Sequence, residues 1–234
     1  MGITCAELVK CGGDKLIQLI YGLIEGVWRQ DVMPKEWTVT IICPIHKKSD
    51  KTDCQKYRGI SMLSLIYKVF AKILAKRLSP YTEQIIGDYL CGFRRDRSTM
   101  DRDVALRIIL GKYYEYNITL YEMFIDFKQA YVSINREKLI LILEEFKIPR
   151  KLINLTGMTL RNTTGRHKVQ NMMTEEFAIN KVLRQRDALP TQLFNVVLGK
   201  EMRLIQINKG GSIYARTLQK LAYADDVNLM GRNS

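Results

Sequence analysis

Apolar positions along the chain recur in two periods. The longest run at helical spacing is Leu63, Ile66, Tyr67, Phe70, Leu74 and Leu78, which predicts a helix over 61–79 stopped by Pro80. Lys68, Lys72 and Lys76 recur at i, i+4, i+8 on another face of that helix. Leu16, Leu19, Ile20, Leu23 and Val27 mark an earlier helix, with Asp14 as its N-cap and Pro34 beyond its end. Ser98 or Thr99 caps a helix carrying Val104, Leu106, Ile108 and Ile109. Three further helices are predicted over 136–147, with Leu139, Ile142, Leu143 and Phe146 inward, over 150–160, and over 191–207. Between them lie β-type runs at Trp37–Ile42 and Ile118–Phe127, and a short hairpin over Val169–Ile179. Gly87–Gly92 reads as a loop, Asn162–Gly165 and Gly210–Gly211 as turns. The alternation predicts a mixed α/β fold.

The last patterned stretch is Leu221–Met230, in which two apolar runs flank Asp225 and Asp226. Leu221, Tyr223, Val227 and Leu229 share one parity, which predicts one buried face. A bare Asp-Asp pair in such a place is most often a solvated hairpin turn. A second carboxylate changes that picture. Asp126 closes the run Met123–Phe127, where an unpaired carboxylate is expensive to bury. Three aspartates from two strand ends suit a pair of Mg²⁺ ions about 3.5–4 Å apart, an arrangement used for in-line attack on phosphate.

Composition narrows the partners. The 234 residues include 37 Lys or Arg against 24 Asp or Glu, a net charge of +13, which calls for a polyanion. Residues 44–78 hold nine basic side chains against two acidic ones, and the clustering favours phosphate contact over a merely solvated face. No apolar run approaches the ~18 residues of a membrane span, and no signal peptide is apparent. Five cysteines without a Cys-x-x-Cys pair, and two histidines, argue against zinc and for reduced thiols in an intracellular protein of nucleus or cytoplasm, not a secreted one.

Tyr223-Ala224-Asp225-Asp226, with Phe124-Ile125-Asp126-Phe127-Lys128-Gln129-Ala130-Tyr131 upstream, resembles the catalytic core of non-LTR (LINE-type) retrotransposon reverse transcriptases. Three further segments resemble that family's motifs in order: Ile45–Lys48 through Cys54–Ser61, Cys91–Asp101, and Leu183–Gln185 with Leu193–Asn195. The resemblance implies a right-hand polymerase fold of fingers and palm with an antiparallel palm sheet backed by helices. It implies one truncated domain over 1–234, about 1–117 mainly fingers and about 118–234 mainly palm, with no thumb.

The implied function is RNA-directed DNA synthesis. Asp126, Asp225 and Asp226 would be catalytic and hold two Mg²⁺, with Mn²⁺ as an alternative ion. Lys48, Arg58, Tyr131 and Gln185 would bind the incoming nucleotide. Lys47, Lys68, Lys72, Lys76, Arg94 and Arg97 would contact nucleic acid. The partners would be an RNA template, a DNA primer and dNTP, with no membrane. The chain departs from the family pattern at Leu90, Arg102, Val132, Arg186 and Pro190. The departures at Leu90, Val132 and Arg186, with the missing thumb and upstream endonuclease, support a second reading: a folded, nucleic-acid-binding remnant of a retrotransposon that has lost catalysis.

Overall fold

The computed structural model describes residues 6–46, 50–94, 97–127, 130, 134–170, 172–179, 189–205 and 220–231, without the side chains of 6, 8, 55 and 58. Lys47, Lys48, Tyr131, Val132, Gln185, Arg186 and the Gly210–Gly211 turn therefore lie outside the described residues. The fold is mixed α/β, and the chain divides into two compact units: Met1–Ser79 with Tyr131–Pro190, and Pro80–Ala130 with Thr191–Ser234.

The first unit is built on strands β1 (Val39–His46), β2 (Tyr57–Met62), β4 (Thr164–Val169), β5 (Met172–Met173) and β6 (Phe177–Ala178). They run in the order β2-β1-β4-β5, with β6 also pairing β4. β1 is antiparallel to β2 and parallel to β4. Helices α1 (Ala6–Cys11), α2 (Gly13–Gln30) and α3 (Lys35–Thr38) precede β1. Trp37 of α3 is buried, with its ring 6.1 Å from Tyr67 and 5.5 Å from Phe70 of helix α4 (Leu65–Ile85). Trp28 meets Phe70 edge-on, and the Arg77 guanidinium lies 4.6 Å over the Trp28 ring. Helices α6 (Arg136–Glu145) and α7 (Arg150–Leu160) bury Leu139, Ile142 and Leu143 of the first, and Leu152, Ile153 and Leu155 of the second. Arg136 donates to the carbonyls of Leu160 and Ile179 and to Thr163 Oγ1, tying α6 to the end of α7 and to the residue after β6.

Several expectations are corrected here. Helix α4 begins at Leu65 rather than 61, because Tyr57–Met62 pair with β1 instead. It also runs through Pro80, the expected stop. The ring sits on an exposed side, while the inward stripe continues past it as Leu74, Leu78, Thr82 and Ile85. Losing one backbone bond at Pro80 is offset by burying another turn. Asp14 lies inside the first turn of α2, and the N-cap is Gly12, which offers no side-chain bond. Of the predicted α2 stripe, Val27 is buried with Ile24, but Leu19 and Leu23 are exposed. Thr164 and Gly165, expected in a turn, are in β4. Trp37 and Thr38, expected in a strand, close α3 instead.

The second unit centres on an antiparallel three-stranded sheet ordered β3-β8-β7: β3 (Tyr121–Asp126), β7 (Lys220–Tyr223) and β8 (Asp226–Gly231). Helix α5 (Thr99–Glu115) starts in a capping box. Ser98 accepts from the Asp101 backbone N–H, and Asp101 accepts in return from the Ser98 N–H. Its Ile109 and Tyr113 pack with Leu221 and Met230 of the sheet. Helix α8 (Leu189–Leu204) buries Leu193, Phe194 and Val196.

Candidate active site

The central strand of the second unit carries the acidic pair. Tyr223 is opposite Asp226 in the β7–β8 ladder, so only Ala224 and Asp225 form the turn and Asp226 already belongs to β8. Ala224 has φ of 55°, as the first position of a primed hairpin turn requires. An even-numbered turn changes the parity rule. Leu221 lies opposite Asn228, and Ala222 opposite Val227. Leu221 and Tyr223 therefore share a face with Asp226 and Asn228, while Val227 and Leu229 take the other. The expectation of one face for all four apolar residues fails at the turn, and β8 is covered on both faces, with Val227 buried on one and Asn228 and Met230 on the other, while edge strand β3 exposes Met123 and Phe124.

On its other side β8 pairs with β3, and the register sets Asp126 opposite Asp226. Directly opposed residues leave the same face with Cβ atoms about 4.5–5.5 Å apart. Backbone pairing thus brings Asp126, Asp226 and the adjoining Asp225 to one end of one sheet. Asp126 and Asp226 are exposed and Asp225 is half-buried. The expectation that Asp126 is buried does not hold, since it ends its strand at the surface. None of the three carboxylates has a hydrogen-bond or ion-pair partner among the described residues. Three unneutralised anions at one strand end suit a hard divalent cation with oxygen ligands. Among the described residues no three His, Cys, Asp or Glu side chains are placed to hold a metal ion as they stand; what brings the aspartates to one strand end is the β3–β8 pairing.

A loop braces this turn from behind. The Ala222 N–H donates to the Tyr89 carbonyl at 2.7 Å, and the Cys91 N–H donates to the Ala222 carbonyl at 2.9 Å. Leu90, a departure from the family pattern, is fully buried in a parallel bridge to Ala222. Its apolar side chain is therefore explained by packing. Burial raises the Cys91 thiol above its ordinary pKa, and Tyr89 likewise.

Arg94 holds the loop. It donates to Glu83 at 2.9 and 2.6 Å and to the carbonyls of Gly87 and Leu90 at 2.9 and 3.0 Å. Expected at nucleic acid, this guanidinium is spent on internal bonds. Arg97 is exposed and bridges to Asp88 at 2.9 Å. At the other end of the hairpin, buried Lys220 donates to the carbonyls of Met202 and Ile205 at the end of α8, and burial lowers its pKa.

The remaining sequence candidates lie in the first unit. Lys68, Lys72 and Lys76 are exposed along α4, as their spacing implies. Arg58 is in β2 opposite Ile45, with its side chain outside the described residues. Sequence reasoning missed two residues near the aspartates, Gly92 and Asn195. Both stand inside motif segments, but nothing in a linear pattern shows what a glycine backbone or a helical Asn touches.

The motif order and the shared strand end point to a template-directed polymerase, and comparison with known proteins decides the family. Residues 45–234 match the family model for reverse transcriptase (RNA-dependent DNA polymerase). The chain belongs to the reverse transcriptase family. This domain is 26% identical over 204 residues to the Pol polyprotein of the type-1 retrotransposable element R2 of Popillia japonica, covering 86% of the chain and 28% of that protein. It is 31% identical over 140 residues to a probable RNA-directed DNA polymerase from transposon BS of Drosophila melanogaster, covering 58% of the chain and 16% of that protein. The domain thus spans under a third of each relative's length. Its fold matches apo telomerase from Candida tropicalis truncated from its C-terminal domain, with a TM-score of 0.59 at 14% identity, over 92% of this chain and 49% of that one. No described helix is long and apolar enough to cross a membrane.

Proposed function

We propose that this reverse transcriptase domain catalyses RNA-templated addition of deoxynucleotides to a primer 3′-hydroxyl, with Asp126, Asp225 and Asp226 as the metal-holding carboxylates. The observation that carries the reading is the β3–β8 register, which sets Asp126 against Asp226 beside Asp225. Two Mg²⁺ ions bound there would supply a more acidic primer hydroxyl and a neutralised pyrophosphate leaving group. The chain's own part is to hold three carboxylates at one strand end, with no cation paired to them among the described residues. Residues 80–130 with 191–234 then correspond mainly to palm.

Nucleic acid is the polyanion that the +13 charge calls for. One solved relative, telomerase from Candida tropicalis, is seen with a fragment of telomeric RNA. For this chain the phosphate contacts are assigned to the exposed stripe Lys68, Lys72 and Lys76, to Arg97, and to Lys47. Lys48, Arg58, Tyr131 and Gln185 would receive the nucleotide. The inactive-remnant reading is not favoured, since Leu90, one of its supports, has a packing reason.

The test is single-nucleotide incorporation on an RNA template with a DNA primer and Mg²⁺, alongside binding measured at rising salt. Incorporation that disappears in Asp225→Asn, and affinity that falls steeply with salt, are the expected results. Tight binding without incorporation by the native chain, at any Mg²⁺ or Mn²⁺ concentration, would sink the catalytic assignment. Replacing Lys68, Lys72 and Lys76 by Gln should shallow the log–log salt slope by roughly 0.9 for each phosphate left without its lysine.

A further inference from the structure

Gly92 lies against the acidic turn with no room for a side chain. A Cβ added there would stand 2.1 Å from the Ala224 nitrogen, 3.0 Å from its Cα and 3.0 Å from the Tyr223 carbonyl carbon. These are backbone atoms, which cannot rotate aside as a flexible side chain can. The space, and not an unusual dihedral, is what requires glycine, since Gly92 is absent from the positive-φ residues of the chain. The residues on either side of this contact, Phe93 at φ 57° and Ala224 at φ 55°, are both left-handed. Their aromatic neighbours stack loosely, Phe93 on Tyr223 at 6.2 Å.

The Gly92 carbonyl is in turn fixed from helix α8. Asn195, almost wholly buried, donates its Nδ2–H to that carbonyl at 2.9 Å, while its Oδ1 has no partner among the described residues. A buried amide that keeps one orphaned acceptor costs stability. Its remaining hydrogen bond is spent on a single backbone oxygen two residues from the bridge to Ala222.

We propose that Gly92 and Asn195 are positioning residues that set where Asp225 and Asp226 project, through the contact of the Gly92 backbone with the Tyr223–Ala224 peptide. This rests on the three aspartates being metal ligands. Asn195 fixes Gly92, Gly92 fixes Ala224, and Ala224 is the residue whose dihedrals aim Asp225. Neither residue is among the proposed metal ligands. Groups that orient metal ligands in this way typically alter metal affinity by about 10- to 100-fold when replaced.

The experiment compares the native 234-residue chain with Gly92→Ala, Asn195→Ala and a control, Gly111→Ala. Gly111 lies in α5 with nothing within 4 Å of an added Cβ. Two readouts are taken: Mn²⁺ affinity by paramagnetic titration, and backbone amide exchange at Ala224, Asp225 and Asp226. Gly92→Ala is expected to weaken Mn²⁺ binding about 10-fold or more and to speed exchange at those amides, with helix content unchanged. Gly111→Ala should match the native chain in both. If Gly92→Ala fails to fold, Asn195→Ala, which adds no atom, decides the question by the same readouts. Native Mn²⁺ affinity together with native exchange in the folded variant overturns the proposal. A native chain that binds no Mn²⁺ refutes the metal-site reading instead. Exchange at the three amides then still decides whether Gly92 and Asn195 hold the turn.

Discussion

Two hairpins in this molecule each open their turn with a left-handed, non-glycine residue and differ in what stands behind them. In β7–β8, Tyr223 opposes Asp226 around a two-residue turn that begins with Ala224 at φ 55°. In β4–β5, Val169 opposes Met172 around a two-residue turn that begins with Gln170 at φ 53°. Neither leading residue is glycine, so each turn stores strain on the order of 1 kcal/mol. The second hairpin is exposed, with Val169 at 47% and Met172 at 71% accessibility. The first is backed by the 89–92 loop, and Ala222 and Val227 on its strands are buried. Strain alone therefore does not mark a functional turn. What distinguishes the acidic one is the loop bonded to its strand at Ala222, with Gly92 packed against the Ala224 backbone.

The comparison is broken most severely at the carboxylates. Asp126→Asn or Asp225→Asn should reduce nucleotide incorporation by on the order of 10³-fold, because in the proposed mechanism several kcal/mol of charge stabilisation would rest on metals held by these carboxylates. Met172→Ala in the exposed hairpin should leave incorporation within about twofold, well under 1 kcal/mol. Steady incorporation by Asp225→Asn would detach the acidic turn from chemistry.

Removing the brace should cost less, and in stability first. Arg94→Ala deletes four hydrogen bonds from a nearly buried guanidinium and leaves the Gly87 and Leu90 carbonyls without it. A loss of about 2 kcal/mol is expected, discounted because Glu83 keeps access to water. Urea unfolding checks it, and a change below about 0.5 kcal/mol would show that the loop holds itself.

Lys220 anchors the far end of the same hairpin, and its signature is pH. Its folded pKa lies below the ordinary 10.5, so the unfolded chain binds more protons across that interval. Stability then rises with pH as Lys220 neutralises on approach to 10.5. Lys220→Met should lose that rise. It should also cost about 1–2 kcal/mol near neutral pH, since two helix-end carbonyls lose their donor. Parallel stability–pH curves for the two proteins would remove Lys220 from this account.

The smallest effects sharpen the contrast between the turns themselves. Ala224→Gly and Gln170→Gly each relieve strain but add unfolded-chain freedom, so stability should move by no more than about 1 kcal/mol in either. Only Ala224→Gly should also slow incorporation, because a freed turn no longer aims Asp225. Equal activity in both variants would mean that the brace, and not the turn residue, does all the aiming.

Much of this was legible in the chain. The stripe on α4, the Ser98 cap, helices α6 and α7 and the strand that Asp126 closes all follow from local periodicity and capping, which act within a few residues. The aspartates stand out because ordered motifs carry information that single pairs do not. Local rules failed where distant surfaces intervened. Pro80 did not stop α4, because buried residues on the following turn reward its continuation. Ser61 and Met62 left the predicted helix because β1 offered a partner. Arg94, basic and near a motif, turned inward because a carboxylate and two carbonyls were within its reach.

By itself the sequence determined which residues are apolar at which period, where helices can begin, and where the acidic and basic side chains cluster along the chain. Tertiary structure alone decided that Asp126 faces Asp226, that parity reverses across a two-residue turn, and that Gly92 has no space for a Cβ. The first and last of these depend on contact between segments 226 − 126 = 100 and 224 − 92 = 132 residues apart in the chain, and register across such a separation is set by the packing of whole faces rather than by any local pattern.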